Sequence, residues 1–136
     1  EDGGGVICII AYAGGDIQAQ EVADELDLDT LVAIERPGPA LDGKYYTMSA
    51  RDMTQSVAIA RLEQLLVAKN RNGVSLASIG IGDGGNEVGM GKVQNGVRQH
   101  ITHGELIAST AATDHLIVCG VSNWGGWALA LALLSE

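Results

Sequence analysis

The sequence predicts an α/β fold of three layers, in which a mainly parallel sheet carries helices on both faces, Rossmann-like in outline. Short apolar runs alternate along the chain with segments of helical periodicity, the sequence form of repeated strand, loop and helix units. The runs are almost continuous in Val, Ile, Leu and Ala, as strands buried on both faces of a parallel sheet require. The three most unusual loops, 35–46, 80–92 and 120–126, each follow a strand. Loops so placed gather at the carboxyl edge of the sheet, where folds of this class bind their ligands.

Val6 to Ala11 reads as the first strand, ending in Gly14-Gly15-Asp16. Asp16 is a suitable N-cap for a helix through about Leu26, with Ile17, Val22, Ala23 and Leu26 as its inner face and Glu21, Asp24 and Glu25 on a solvated one. Thr30 to Ile34 is a second strand. The two prolines and two glycines of Glu35-Arg36-Pro37-Gly38-Pro39 and Asp42-Gly43-Lys44-Tyr45-Tyr46 forbid regular structure after it. If that segment is extended, one of its tyrosines points inward and the other outward. From Met53 to about Asn70, Ala58, Ile59, Leu62, Leu65 and Leu66 recur at helical spacing, and Asn72-Gly73 supplies a stop.

Strand three, Leu76 to Ile81, runs into a glycine-rich loop that ends at Lys92. A helix follows, with Val93, Val97 and Ile101 on one side; His100 and His103 fit its C-terminal end, where cations are favoured. Glu105 to Ala108 is expected to be a short strand and His115 to Cys119 a clearer one. Trp127 to Leu134 is apolar all round, as expected of a helix buried in a core or an assembly. Something further should cover it, a missing segment or a second subunit, which leaves room for a homo-oligomer. Trp124 reads as a packing residue beneath the last loop.

Composition narrows the function. A chain of 136 residues with 46% hydrophobic content supports one domain with a real core. It starts at Glu1 rather than Met, so the expected unit is a single α/β domain over 1–136, incomplete at its N-terminus. A formal charge of −9 argues against nucleic acid as a partner. No stretch approaches the roughly twenty apolar residues that span a bilayer, and no signal-peptide pattern opens the chain, so no membrane association is expected. Cys8 and Cys119 lie in apolar runs, which suits small buried side chains in a reducing, intracellular setting, cytoplasmic by default.

The glycine loop carries the chemistry. Gly80, Gly82 and Gly85 spell G-x-G-x-x-G between a strand and a helix, but Asp83 and Glu87 put negative charge where a pyrophosphate would sit. The acid expected about twenty residues on, Glu105, falls at the wrong end of its strand. A Walker A loop fails because Val93, not Ser or Thr, follows Lys92. Small-molecule chemistry fits better. Glycines let backbone N–H groups approach a substrate, and Asp83, Asn86 and Glu87 offer oxygens for a proton transfer or a hard cation. Mg²⁺ or Mn²⁺ suits such oxygens better than zinc, although Asp83 and Glu87 alone are a thin ligand set. No other cofactor is indicated. Arg36 and Lys92 can receive a substrate carboxylate, Arg36 in bidentate fashion.

Ile34-Glu35-Arg36-Pro37-Gly38, Asp42-Gly43-x-Tyr45-Tyr46, Ile81 through Lys92 and Val121-Ser122-Asn123-Trp124-Gly125-Gly126 stand here in the order found in the D-glutamate cyclase family. From about Leu31 to its end, the chain resembles the C-terminal domain of that family. The resemblance implies lyase chemistry, in which the α-amine of D-glutamate attacks its own γ-carboxyl, loses water and gives 5-oxo-D-proline. It also implies a small-molecule partner, D-glutamate, and a mitochondrial matrix setting for a eukaryotic source. On this reading Asp83 or Glu87 acts as the base or holds a divalent ion, with Asn86 and Lys92 beside them in the catalytic set. Backbone N–H groups of Gly84 and Gly85 receive the developing oxyanion. Arg36, Asp42 and Tyr45 contact substrate, and Ser122 and Asn123 orient the amine or the leaving water. The alternative, from another class, is a non-catalytic module whose glycine loop binds a nucleotide, phosphate or small amino acid.

Overall fold

A computed structural model describes residues 18–55 and 59–135. A parallel sheet of three strands organises them, in the order β1 (Thr30–Ile34), β2 (Ala77–Gly82), β3 (His115–Val118). The register places Ala33 beside Gly80 and Ile34 beside Ile81, with Ile117 on the other side of Ile81. Four helices accompany the sheet: α1 (Ala19–Leu26), α2 (Gln94–His100), α3 (Gly104–Ile107) and α4 (Ser122–Leu134). The fold is α/β, as expected. The strand expected from Val6 to Ala11 and the N-cap expected at Asp16 lie outside the described residues, while the helix expected to run to about Leu26 is α1.

Alternation along β2 decides what covers each face. Ile81, fully buried, faces α4, which comes so close that a Cβ at Gly125 would lie 2.6 Å from Ile81 Cγ2 and 2.8 Å from Cys119 Sγ. On the opposite face β2 presents Gly80 and Gly82. The chain that leaves β2 doubles back over them, so that a Cβ at Gly80 would stand 2.6 Å from the Val88 carbonyl oxygen and 2.7 Å from Gly89 Cα. The alternating glycines of this strand are therefore a packing requirement: only a strand without side chains there admits another backbone.

Several elements differ from expectation. The helix sought from Met53 to Asn70 is replaced, among the described residues, by one short 3-10 helix, Leu62–Val67. Local groups capture the backbone instead. Asp52 Oδ1 accepts from Thr54 N, Thr54 Oγ1 from Tyr45 N, and the Ala60 carbonyl from Arg36. Asn72-Gly73 closes a tight turn rather than a helix: Asn70 Oδ1 accepts from the N–H groups of Asn72 and Val74, and Lys69 bridges Ser75. On α1 the inner face is Ala19 and Ala23 against Ala68 and Leu76, while Leu26 is exposed. On α2 only Val97 is buried, and Val93 and Ile101 reach solvent.

The expected strand at Glu105–Ala108 is the helix α3. Arg98 grips Glu105 Oε2 through Nε and Nη2 at 2.8 and 2.6 Å, and Ile107 is 1% exposed against Ala40 and Tyr46. His100 does end α2, but His103 turns the chain into α3 in the left-handed conformation, at φ 63°. α4 begins at Ser122, inside the segment read as a loop, and it is one-sided. Gly125 meets the sheet while Trp124, Trp127, Leu131 and Leu134 are exposed, so Trp124 does not pack beneath the loop. Among the described residues no helix is long and apolar enough to cross a membrane.

Two alanine substitutions test the role of the bare face of β2. Gly80→Ala should lower unfolding free energy by about 1–3 kcal/mol through overpacking. Gly96→Ala, in the interior of α2 where a Cβ meets nothing outside its own helix within 4 Å, should raise it by about 0.5–1 kcal/mol. Urea denaturation followed by circular dichroism measures both.

Candidate functional site

The glycine loop is built around one carboxylate. Glu87, 4% exposed, accepts the N–H groups of Gly84 at 2.8 Å, Gly85 at 2.7 Å and Asp83 at 3.3 Å. Gly85 reaches this bracket at φ +113° and Gly89 continues at φ +102°, conformations that favour glycine. Sequence reasoning assigns the Gly84 and Gly85 donors to a substrate oxyanion. The structure gives both to Glu87, because a buried carboxylate needs partners and these N–H groups lie within reach of it.

The expected gathering of the three loops is present. The 35–46 loop is stitched to the glycine loop by Gly38 N–H to Asn86 O at 2.9 Å, Val88 N–H to Arg36 O at 2.7 Å and a Pro37–Glu87 bridge. Asn86, itself buried, donates Nδ2 to the Tyr46 carbonyl at 2.7 Å. From the third segment, Ser122 N–H donates to Asp83 Oδ2 at 2.9 Å, at the first turn of α4. Asp83 is exposed, and its carboxylate sits at a helix N-terminus, which favours negative charge. Ser122 is fully buried and its Oγ has no hydrogen-bond partner. Asn123 follows it, exposed. Beside Asp83 and Gly84 opens a cleft of about 260 Å³, walled mainly by Met90, Val97, Ile101 and Val118, with His100 at its side.

Other candidates are placed elsewhere. Lys92 donates Nζ to the Asp114 carbonyl at 2.7 Å. Asp114 precedes β3 and holds Ser78 near the start of β2, so Lys92 lies at the end of the sheet opposite Asp83. The doubling back of the loop separates them. Asp42 is exposed and accepts from Tyr46 OH at 2.6 Å. Both tyrosines of this loop are buried, not one: Tyr45 donates its hydroxyl to Glu63 Oε1, also at 2.6 Å. Arg36, part-buried, faces Glu63 across a second, smaller cavity. Glu63 escaped sequence reasoning. It lies in a stretch of helical periodicity, and nothing local marks it.

Asp83 and Glu87 do not present a divalent-cation site. Both Glu87 oxygens face amide hydrogens, and Asp83 Oδ2 is taken by Ser122. Among the described residues no group of three His, Cys, Asp or Glu side chains converges.

The family model described as "D-glutamate cyclase-like, C-terminal" matches residues 10–135. The chain belongs to this family. It is 46% identical over 135 residues to the human protein named "D-glutamate cyclase, mitochondrial", covering 93% of this chain and 21% of that relative. This D-glutamate cyclase-like domain thus spans about a fifth of the relative's length.

Among the described groups that titrate away from their ordinary values, Tyr46 and Asp42 form a bonded pair. The Tyr46 phenol, bonded to the Asp42 carboxylate, is pushed from 10 to about 12, and Asp42 is held below 3.8, first by that same bond. The Tyr46 contribution is complete below pH 10 and lost as pH rises through about 12; that of Asp42 is present above 3.8 and lost as pH falls. Ultraviolet titration should find the Tyr46 phenol ionising near 12, and Asp42→Asn should move it down toward 10, with burial and the Asp52 charge still holding it up. A second test addresses the bracket. Glu87→Gln, which keeps one oxygen for three donors, should destabilise the domain by about 1–3 kcal/mol, measured by chemical denaturation.

Proposed function

We propose that this chain carries a lyase site that converts D-glutamate to 5-oxo-D-proline. The single observation behind the reading is the position of Asp83. Of the two glycine-loop carboxylates, it is the one left at the surface, at the rim of the cleft and the N-terminus of α4. Membership of the D-glutamate cyclase-like family supplies the reaction.

The α-nitrogen attacks the carbon of the γ-carboxyl, Cδ, where an N–C bond forms and a C–O bond breaks. The two protons lost by the ammonium leave with the expelled oxygen as water, so no oxidant or reductant is needed. The reaction is intramolecular, and the task of the site is orientation and proton transfer. Asp83 takes a proton from the ammonium and returns it to the leaving oxygen. The amide end of α4 favours negative charge developing on the carboxyl. Glu87 and Asn86 hold the loop in shape. No step is routed through a metal. The compartment would be the mitochondrial matrix in a eukaryote and the cytoplasm otherwise. The sheet would be completed as a three-layer, Rossmann-like sandwich.

The tie between Glu87 and the Gly84 and Gly85 amides favours a second reading, a module that binds an amino acid without turning it over. Incubation with D- and L-glutamate and mass spectrometry for 5-oxoproline separates the two. Product from D-glutamate is expected, and its absence removes the lyase reading. Asp83→Asn should lower turnover at least 100-fold, within the span of a lost general base, with the far-ultraviolet spectrum unchanged; wild-type rates in that variant take Asp83 out of the mechanism.

A further inference from the structure

The cleft beside Asp83 is apolar along most of its wall, which Met90, Val93, Val97, Ile101 and Val118 form together with two glycines. Asp83 and His100 are its titratable members. Asp83 Oδ2 accepts the Ser122 N–H at 2.9 Å while Oδ1 has no partner, and the His100 ring, at the end of α2, makes no hydrogen bond or ion pair among the described residues. Both side chains are exposed, within reach of a molecule in the cleft. The volume, about 260 Å³, falls just below the roughly 300–1,000 Å³ of sites for drug-sized ligands. That suits a single amino acid.

D-glutamate brings an ammonium, two carboxylates and two methylenes. In the lyase reading the ammonium goes to Asp83 and the reacting γ-carboxyl to the amide end of α4, which leaves the α-carboxylate to be held. Neither cation expected from the sequence is at hand. The Arg36 cavity shares no wall with this cleft, and Lys92 donates to the Asp114 carbonyl at the other end of the sheet. Arg98, on the same helix as His100, is taken by Glu105. An imidazole donates an N–H in either protonation state, and two with a positive charge when protonated; no other side chain of the cleft apart from Asp83 has a polar hydrogen-bonding group. We propose that His100 holds the α-carboxylate of the substrate, with the ammonium on Asp83 and the methylenes along the apolar wall. Beside such a wall a charge-assisted hydrogen bond is stronger than in open water. The inference rests on the lyase reading and adds to it the group that selects an α-amino acid over a simple amine.

The test is a titration of the full 136-residue chain, followed by nuclear magnetic resonance of the histidine rings, with three probes. D-glutamate has every group, 4-aminobutyrate lacks the α-carboxylate, and 5-oxoproline keeps that carboxylate but lacks the ammonium. D-glutamate and 5-oxoproline should shift the His100 ring signals, and D-glutamate should bind about tenfold or more tighter than 4-aminobutyrate, as one charge-assisted hydrogen bond implies. His100→Ala should weaken D-glutamate and 5-oxoproline by about the same factor and change 4-aminobutyrate less than about twofold, the signature of a contact made to one group alone. His100→Arg, which restores a donor, should bind D-glutamate within about threefold of wild type. His103→Asn, outside the cleft, should leave all three unchanged. In turnover, His100→Ala should raise KM about tenfold and leave kcat within about threefold, as loss of uniform binding does. The ring shifts and the ranking of probes are read in the wild type and need no variant to fold. Ring signals unmoved by D-glutamate, 4-aminobutyrate bound as tightly as D-glutamate, or an equal loss for all three probes in His100→Ala overturn the proposal. Binding with the expected differences but no 5-oxoproline removes the lyase reading and keeps the His100 contact; 5-oxoproline formed at an unchanged KM in His100→Ala does the opposite.

Discussion

The Glu87 carboxylate is the interaction on which the rest of the site depends. Three backbone N–H groups close on its two oxygens. Charge-assisted bonds of this kind contribute roughly 1.5–3 kcal/mol each, while removing a carboxylate from water costs several kcal/mol. The two sides nearly cancel, so the bracket adds little net stability. What it fixes is shape. With Glu87 turned inward, Asp83 is left outside. The chain beyond must fold back along β2, and Asn86 and Val88 become the points where the 35–46 loop attaches.

That folding back divides the chemistry of the loop between the two ends of the sheet. Asp83 meets the first turn of α4 at the carboxyl edge, and Lys92 meets Asp114 at the amino edge. A segment that reads as one motif thus serves two places. The division requires β2 to be bare on one face and full on the other. Ile81 takes the weight of α4 while Gly80 and Gly82 admit the returning backbone. The glycine spacing that resembles a dinucleotide fingerprint has this steric cause.

Legibility followed the range of the forces involved. β1 was read to the residue and β2 and β3 to within one, because a continuous apolar run between turn residues needs no distant information. The convergence of the three loops was also readable, since parallel topology alone dictates it. The stretch from Met53 to Asn70 was not. Its apolar spacing is helical, but Asp52, Thr54 and Arg36 capture the backbone, and Arg36 comes from the end of another strand. Glu105–Ala108 was misread for a similar reason, because the Arg98 fork that holds its helix is a tertiary contact.

By itself, the sequence determined the α/β class, the parallel strands, the family and the residue types at the site, all of which follow from local pattern and composition. Tertiary structure alone decided which carboxylate is structural and which is free, because that depends on where three amide hydrogens point. It also decided that Lys92 stands apart from Asp83, and that Glu63 meets Tyr45 and the Arg36 cavity. Those pairings join residues far apart in the chain, and only the packed backbone brings them within the reach of a hydrogen bond.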